Sequence, residues 1–86
     1  MSKFEKIIQK VTSGSCDRNI DFNDLCNLLE TLGFNNRIKG SHHIYFKEGI
    51  AEIINLQPLN NKAKPYQVKQ VRELLIKYKL IPSKDE

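Results

Sequence analysis

The stretch Lys39-Gly40-Ser41-His42-His43-Ile44-Tyr45 gathers the residue types with which this chain can do chemistry. Arg37 and Lys39 bring positive charge to a glycine-containing turn, and two imidazoles follow at once. Histidine is the side chain whose ordinary pKa lets it take or give a proton near neutrality. An imidazole beside cations suits a phosphate ester, where one group moves a proton and another neutralises charge. The residues after the turn read as a strand, and successive strand residues point to opposite faces. His42 then shares a face with Ile44 and Phe46, and His43 with Tyr45 and Lys47. The pair is therefore a poor chelate for one metal ion, and one histidine is expected to act alone. His43, among polar neighbours, is expected to be the exposed one. His42, on the apolar face but beside the turn, is expected to be half buried. Position alone does not choose between them.

The elements that must carry these residues fit in one small domain. A chain of 86 residues buries only ~60–65% of its unfolded surface, so its core is thin. There is no room for a cofactor domain, and no organic cofactor is expected. The hydrophobic fraction of 40% and charged fraction of 28% are those of a soluble globular protein. Apolar runs of two or three residues cannot span a membrane. The N-terminal segment lacks the apolar block of a signal peptide, so the cytoplasm is the expected location. Cys16 and Cys26 are expected as free thiols there. Neither they nor the histidines have metal-ligand spacing, so no metal site is expected. The net charge of +4 permits a nucleic-acid partner without demanding one. Cations cluster late in the chain, at Lys62, Lys64, Lys69, Arg72, Lys77 and Lys79, against Glu73 alone. The simpler reading of that run is a solvated helix face.

Periodicity places the elements. Phe4, Ile7, Ile8 and Val11 form the stripe of a helix over 2–12, which Thr12-Ser13-Gly14-Ser15 breaks. A second helix starts at Asp21 as cap, with stripe Phe22, Leu25, Cys26, Leu29 and Leu32 and Gly33 as its left-handed end. Strands are expected over 34–39, 42–47 and 50–56, joined by Gly40-Ser41 and Glu48-Gly49. A polar loop over 59–64 leads to Pro65 in the first turn of a last helix, with stripe Val68, Val71, Leu74, Leu75 and Tyr78. Pro82 closes the fold. The expected fold class is α+β: an α-β-β-β-α domain of the double-stranded-RNA-binding kind, with a three-stranded antiparallel sheet and an extra N-terminal helix. The division expected is a helical extension over 1–15, the domain over 16–82 and a flexible tail over 83–86. The extra helix is expected to pack on the domain's own core rather than to serve a partner.

Lys39-Gly40-Ser41-His42-His43-Ile44-Tyr45 resembles the signature of the HicA (YcfA-like) family, the ribonuclease toxins of HicA–HicB toxin–antitoxin pairs. Leu32-Gly33-Phe34, the basic-Pro entry Lys62-Ala63-Lys64-Pro65, and Val68-x-x-Val71-Arg72-x-Leu74-Leu75 extend the likeness over residues 22–81. The resemblance implies a double-stranded-RNA-binding-like fold and ribosome-independent cleavage of mRNA, which is expected to proceed without a metal. It implies His42 as the essential histidine and Gly40 as the turn glycine, with His43 auxiliary. It also implies a HicB-type antitoxin as partner. The chain departs from the family pattern at Tyr66-Gln67, where a small pair usually follows the proline, and at Ile54-Asn55-Leu56-Gln57-Pro58.

The expected mechanism has His42 as general acid/base. Lys39, Lys47, Lys62 or Lys64 would neutralise the phosphate, and Lys69 and Arg72 would extend the track. Gly40, Ser41, His43 and Tyr45 complete the expected RNA-binding set, with His43 and Tyr45 the nearest partners for proton transfer. The start of the last helix offers free backbone N–H groups to a neighbouring phosphate. Two other readings compete: a non-catalytic RNA-binding module of the same fold, and a protein-interaction module.

Overall fold

Ile7, Ile8 and Val11 recur at helical spacing, and all three are buried, with Val11 fully so. They belong to the helix α1, Lys3–Ser13, and join one core with residues from every other helix. The structure, a computed structural model, describes residues 3–80. After α1 come a single 3-10 turn, Asp17–Asn19, then α2, Phe22–Thr31, and three strands: β1, Asn35–Lys39; β2, His42–Lys47; β3, Ile50–Leu56. The last helix, α3, is Pro65–Lys77. Order and type match the expected α-β-β-β-α layout with one helix in front. The short 3-10 turn is additional. The expected helix start at residue 2, the closing Pro82 and the tail over 83–86 lie outside the described residues.

Local chemistry sets the boundaries. The Asp21 carboxylate accepts from the Asp24 N–H at 3.2 Å and caps α2. At its other end the Phe34 N–H reaches the Leu29 carbonyl and the Gly33 N–H that of Glu30, with Gly33 at φ 95°. This is a Schellman motif whose left-handed residue favours glycine. The segment read as a polar loop is a tight turn instead. Asn60 and Asn61 both have positive φ, and Leu59 and Lys62 exchange backbone hydrogen bonds across them. Asparagine tolerates that region because its short amide can bond locally.

The sheet is an antiparallel meander, β1-β2-β3. Lys39 pairs with His42, Arg37 with Ile44 and Asn36 with Tyr45. Across β2 and β3, Tyr45 pairs with Ile54 and His43 with Leu56. Tyr45, Ile54 and Leu56 are buried, so the face they share is the one the helices cover. The expected orientation of the sheet is thereby corrected. The face of Ile44 and Phe46 points to solvent, and the face of His43 and Tyr45 points inward. The register supplies the reason: the hairpin places Arg37 and Lys39 beside Ile44 and His42, and burying two cations costs more than leaving two apolar residues wet.

Candidate active site

His42 opens β2 immediately after a two-residue turn. Only Gly40, the first turn residue, has positive φ, at 62°, the pattern of a type II′ turn that matches strand twist. The turn sets Lys39 directly across from His42 on the outer face, where paired Cβ atoms lie ~4.5–5.5 Å apart. His42 is exposed rather than half buried. Its Nδ1 lies 3.1 Å from Asn55 Oδ1 on β3. An amide oxygen only accepts, so Nδ1 carries the hydrogen, and in the neutral ring the lone pair sits on Nε2. A ring held this way is ready to accept a proton at Nε2.

A groove of about 230 Å³ opens beside this imidazole, lined by Ile53, Asn55, Gln57, Tyr66, Gln67 and Gln70. Its far wall is the first turn of α3, and Gln67 fixes that wall in place. Gln67 is almost fully buried. Its Oε1 accepts from the Lys64 N–H and its Nε2 donates to the Asn55 carbonyl, each at 3.4 Å. Gln57 Nε2 donates to Ser41 Oγ at 3.2 Å, joining the turn to the end of β3.

The expected site residues separate into two groups. Lys39, Gly40 and Ser41 surround His42. Lys64 is the N-cap of α3, three residues before Gln67, and Lys69, exposed, is one turn beyond Tyr66. The others point elsewhere. Tyr45 is 1% exposed and its hydroxyl donates to Glu30 at 3.1 Å; burial and these neighbours push its phenol far above the ordinary range. It cannot contact RNA or relay a proton to His42. His43 stacks edge-on against Phe22, ring centres 5.0 Å apart, on the inner side of the sheet. The two histidines diverge. Lys47 lies at the opposite end of β2, roughly 17 Å along the strand from His42. Lys62 donates to Asn19 at 3.0 Å. Arg72 donates to the Asp17 carboxylate at 3.0 Å and to the Val11 carbonyl at 3.1 Å; it is a clamp between α3 and α1, not part of a track.

Asn55, Gln57, Tyr66 and Gln70 were absent from the expected set. The signal for Asn55 was available: with Lys39 opposite His42, strand parity puts Asn55 on the same outer face. Tyr66 and Gln70 carried no such signal, because only the docking of α3 brings them to the groove.

Comparison with known proteins gives one finding. A family model described as HicA toxin of bacterial toxin–antitoxin matches residues 22–77, which span α2, the sheet and α3. No curated protein and no solved structure matches the chain.

Proposed function

The chain belongs to the HicA toxin family, and on that premise we propose that it is a ribonuclease that cleaves mRNA in the cytoplasm, with His42 as the proton-transfer group. The observation that carries this reading is the outer-face arrangement of His42, with Asn55 on Nδ1 and Lys39 directly across the hairpin. Cleavage joins the ribose 2′-oxygen to phosphorus and breaks the bond from phosphorus to the 5′-oxygen. His42 Nε2 takes the 2′-hydroxyl proton, a task worth ~10²–10⁴-fold in rate. The imidazolium so formed then returns a proton to the leaving oxygen. Lys39 neutralises the phosphate as charge develops on it. Lys64 and Lys69 hold the neighbouring phosphates. A single histidine with no second acid or base makes a slow enzyme.

A toxin of this family implies an antitoxin partner, here read as HicB-type. Its docking face is the outer side of the sheet, where Ile44, Phe46 and Ile53 form an apolar surface beside Arg37. An antitoxin seated there also covers His42. The extension α1 lies outside the matched residues and packs into the core, which supports a structural task for it.

The test is incubation of a labelled mixed-sequence RNA in EDTA with the wild-type protein and with His42→Ala. Cleavage by the wild type alone supports the reading. Equal cleavage by both overturns the role of His42. Salt-sensitive binding without cleavage by either returns the protein to a non-catalytic RNA-binding module.

A further inference from the structure

The groove beside His42 has an uncharged, amide-rich lining. No charged side chain lines it, although the chain carries 14 lysines and arginines. Its polar lining is made of amides, with one aromatic, Tyr66, left 65% exposed. Nothing in the core requires that aromatic. It is also where the two departures from the family pattern meet: Tyr66-Gln67 forms one wall, and Asn55 with Gln57 the other.

Amides and an exposed ring have a common ligand. Unpaired bases stack on aromatic side chains and are read along their edges by hydrogen bonds, which Asn and Gln make as both donor and acceptor. At about 230 Å³ the groove is smaller than the ~300–1,000 Å³ that engulfs a drug-sized ligand, a size that suits one planar ring. The amides also differ in freedom. Gln67 spends both ends of its amide on the backbone. Asn55 commits its oxygen to His42, so its NH₂ remains to donate. Gln57 commits its NH₂ to Ser41, so its oxygen remains to accept. Gln70 sits one turn beyond Tyr66 on the same side of α3.

We propose that this groove is a nucleobase subsite: an unpaired base next to the scissile phosphate stacks on Tyr66 and is read by the free amide ends of Asn55, Gln57 and Gln70. The inference rests on the ribonuclease reading for its ligand. It makes the substrate single-stranded at the cut and makes cleavage selective at one base, in contrast to the shape readout of duplex RNA that the fold class suggests.

The experiment is a titration of ¹⁵N-labelled wild-type protein with short 2′-O-methyl RNAs that differ at one position. The blocked 2′-oxygen makes them uncleavable, so binding is read independently of catalysis. The expected result is movement of the Asn55, Gln57 and Gln70 side-chain amide signals, with affinity that depends on the base. Tyr66→Ala then weakens binding by about 5- to 150-fold, the loss of one stacked base, while Tyr66→Phe binds as the wild type does. Signals that move only around Lys39, Lys64 and Lys69, or equal affinity of Tyr66→Ala, overturn the subsite. RNA cleavage assayed in parallel separates the two ideas. Groove binding without cleavage sinks the catalytic reading and keeps the subsite, and His42-dependent cleavage indifferent to Tyr66 does the reverse.

Discussion

At the residue scale, the decisive contact is Asn55 with His42. An exposed imidazole samples both tautomers, and an acceptor on Nδ1 selects the one with Nε2 free. On the proposed mechanism Asn55→Ala should slow cleavage about tenfold at saturating RNA, a fraction of the ~10²–10⁴ that a general base contributes, and should also raise KM, because the same amide donates to the bound base. Asn55→Asp keeps an acceptor and adds negative charge, which favours the imidazolium. It should retain more activity than Asn55→Ala, and the low-pH limb of its rate profile should move to higher pH. Initial rates across pH for the three proteins check this. Tyr45 gives the opposite expectation. Its buried hydroxyl donates to the Glu30 carboxylate, so Tyr45→Phe should cost about 1.5 kcal/mol of stability, the low end for a bond to a charged group because Glu30 is exposed, and leave cleavage unchanged. Burial raises the Cys26 thiol, with Tyr45 opposing that shift in part. Cys26 should react with a thiol reagent only on unfolding, and half-exposed Cys16 in the folded protein.

At the element scale, polar contacts tie α3 to its neighbours at its start, its middle and its end, and each has a different task. Gln67 holds its start to β3 and shapes the groove. Arg72 holds its middle to α1 and Asp17. Lys77 and Tyr78 hold its end to Glu52 of β3, at 2.7 and 2.6 Å. Arg72→Ala should cost about 1.5–3 kcal/mol, the range for a charge-assisted hydrogen bond, and barely alter RNA affinity. Chemical denaturation and RNA binding measured on one sample decide this. Lys77, then Tyr78, lowers the Glu52 carboxyl from an ordinary 4.5 to about 2. A carboxyl lowered on folding stabilises above its unfolded pKa, and that gain is lost as pH falls through the folded value. The tie therefore acts in full above pH 4.5 and fades toward pH 2. Glu52→Gln should melt below the wild type at neutral pH and converge with it near pH 2.

At the scale of the whole molecule, α1 completes the core of a domain too small to spare it. Removing the three buried aliphatics of α1 exposes the surfaces of α2 and α3 they cover, and each buried aliphatic contributes about 1.5–3 kcal/mol. Deletion of residues 1–13 should lower Tm by well over 8 °C in dilute solution, since 1 kcal/mol shifts a domain of this size by about 4–8 °C. The charge of the molecule is local in effect. If Lys39, Lys64 and Lys69 meet three phosphates, log affinity against log salt should slope by about −2, since each phosphate on a single strand contributes about −0.7. Alanine at any of the three should flatten the slope by about 0.7, and alanine at Lys47 or Lys62 should leave it unchanged.

The linear chain by itself determined the elements. The stripe of α1, the Asp21 cap, the Gly33 exit, the Gly40-Ser41 turn and the Pro65 start are local signals, legible because each depends on residues within a turn of one another. Position alone left His42 and His43 level, and the likeness of Gly40-Ser41-His42-His43 to the HicA signature is what singled out His42 as the candidate. Tertiary structure alone decided which side of the sheet became the inside. Both faces of β2 carry large apolar residues, so the strand by itself is ambiguous; the choice went to the face that the hairpin register leaves free of Arg37 and Lys39. It also decided what surrounds His42. Asn55 and Tyr66 are 13 and 24 residues away along the chain, and they reach the imidazole only through the pairing of β3 and the docking of α3 on the buried amide of Gln67.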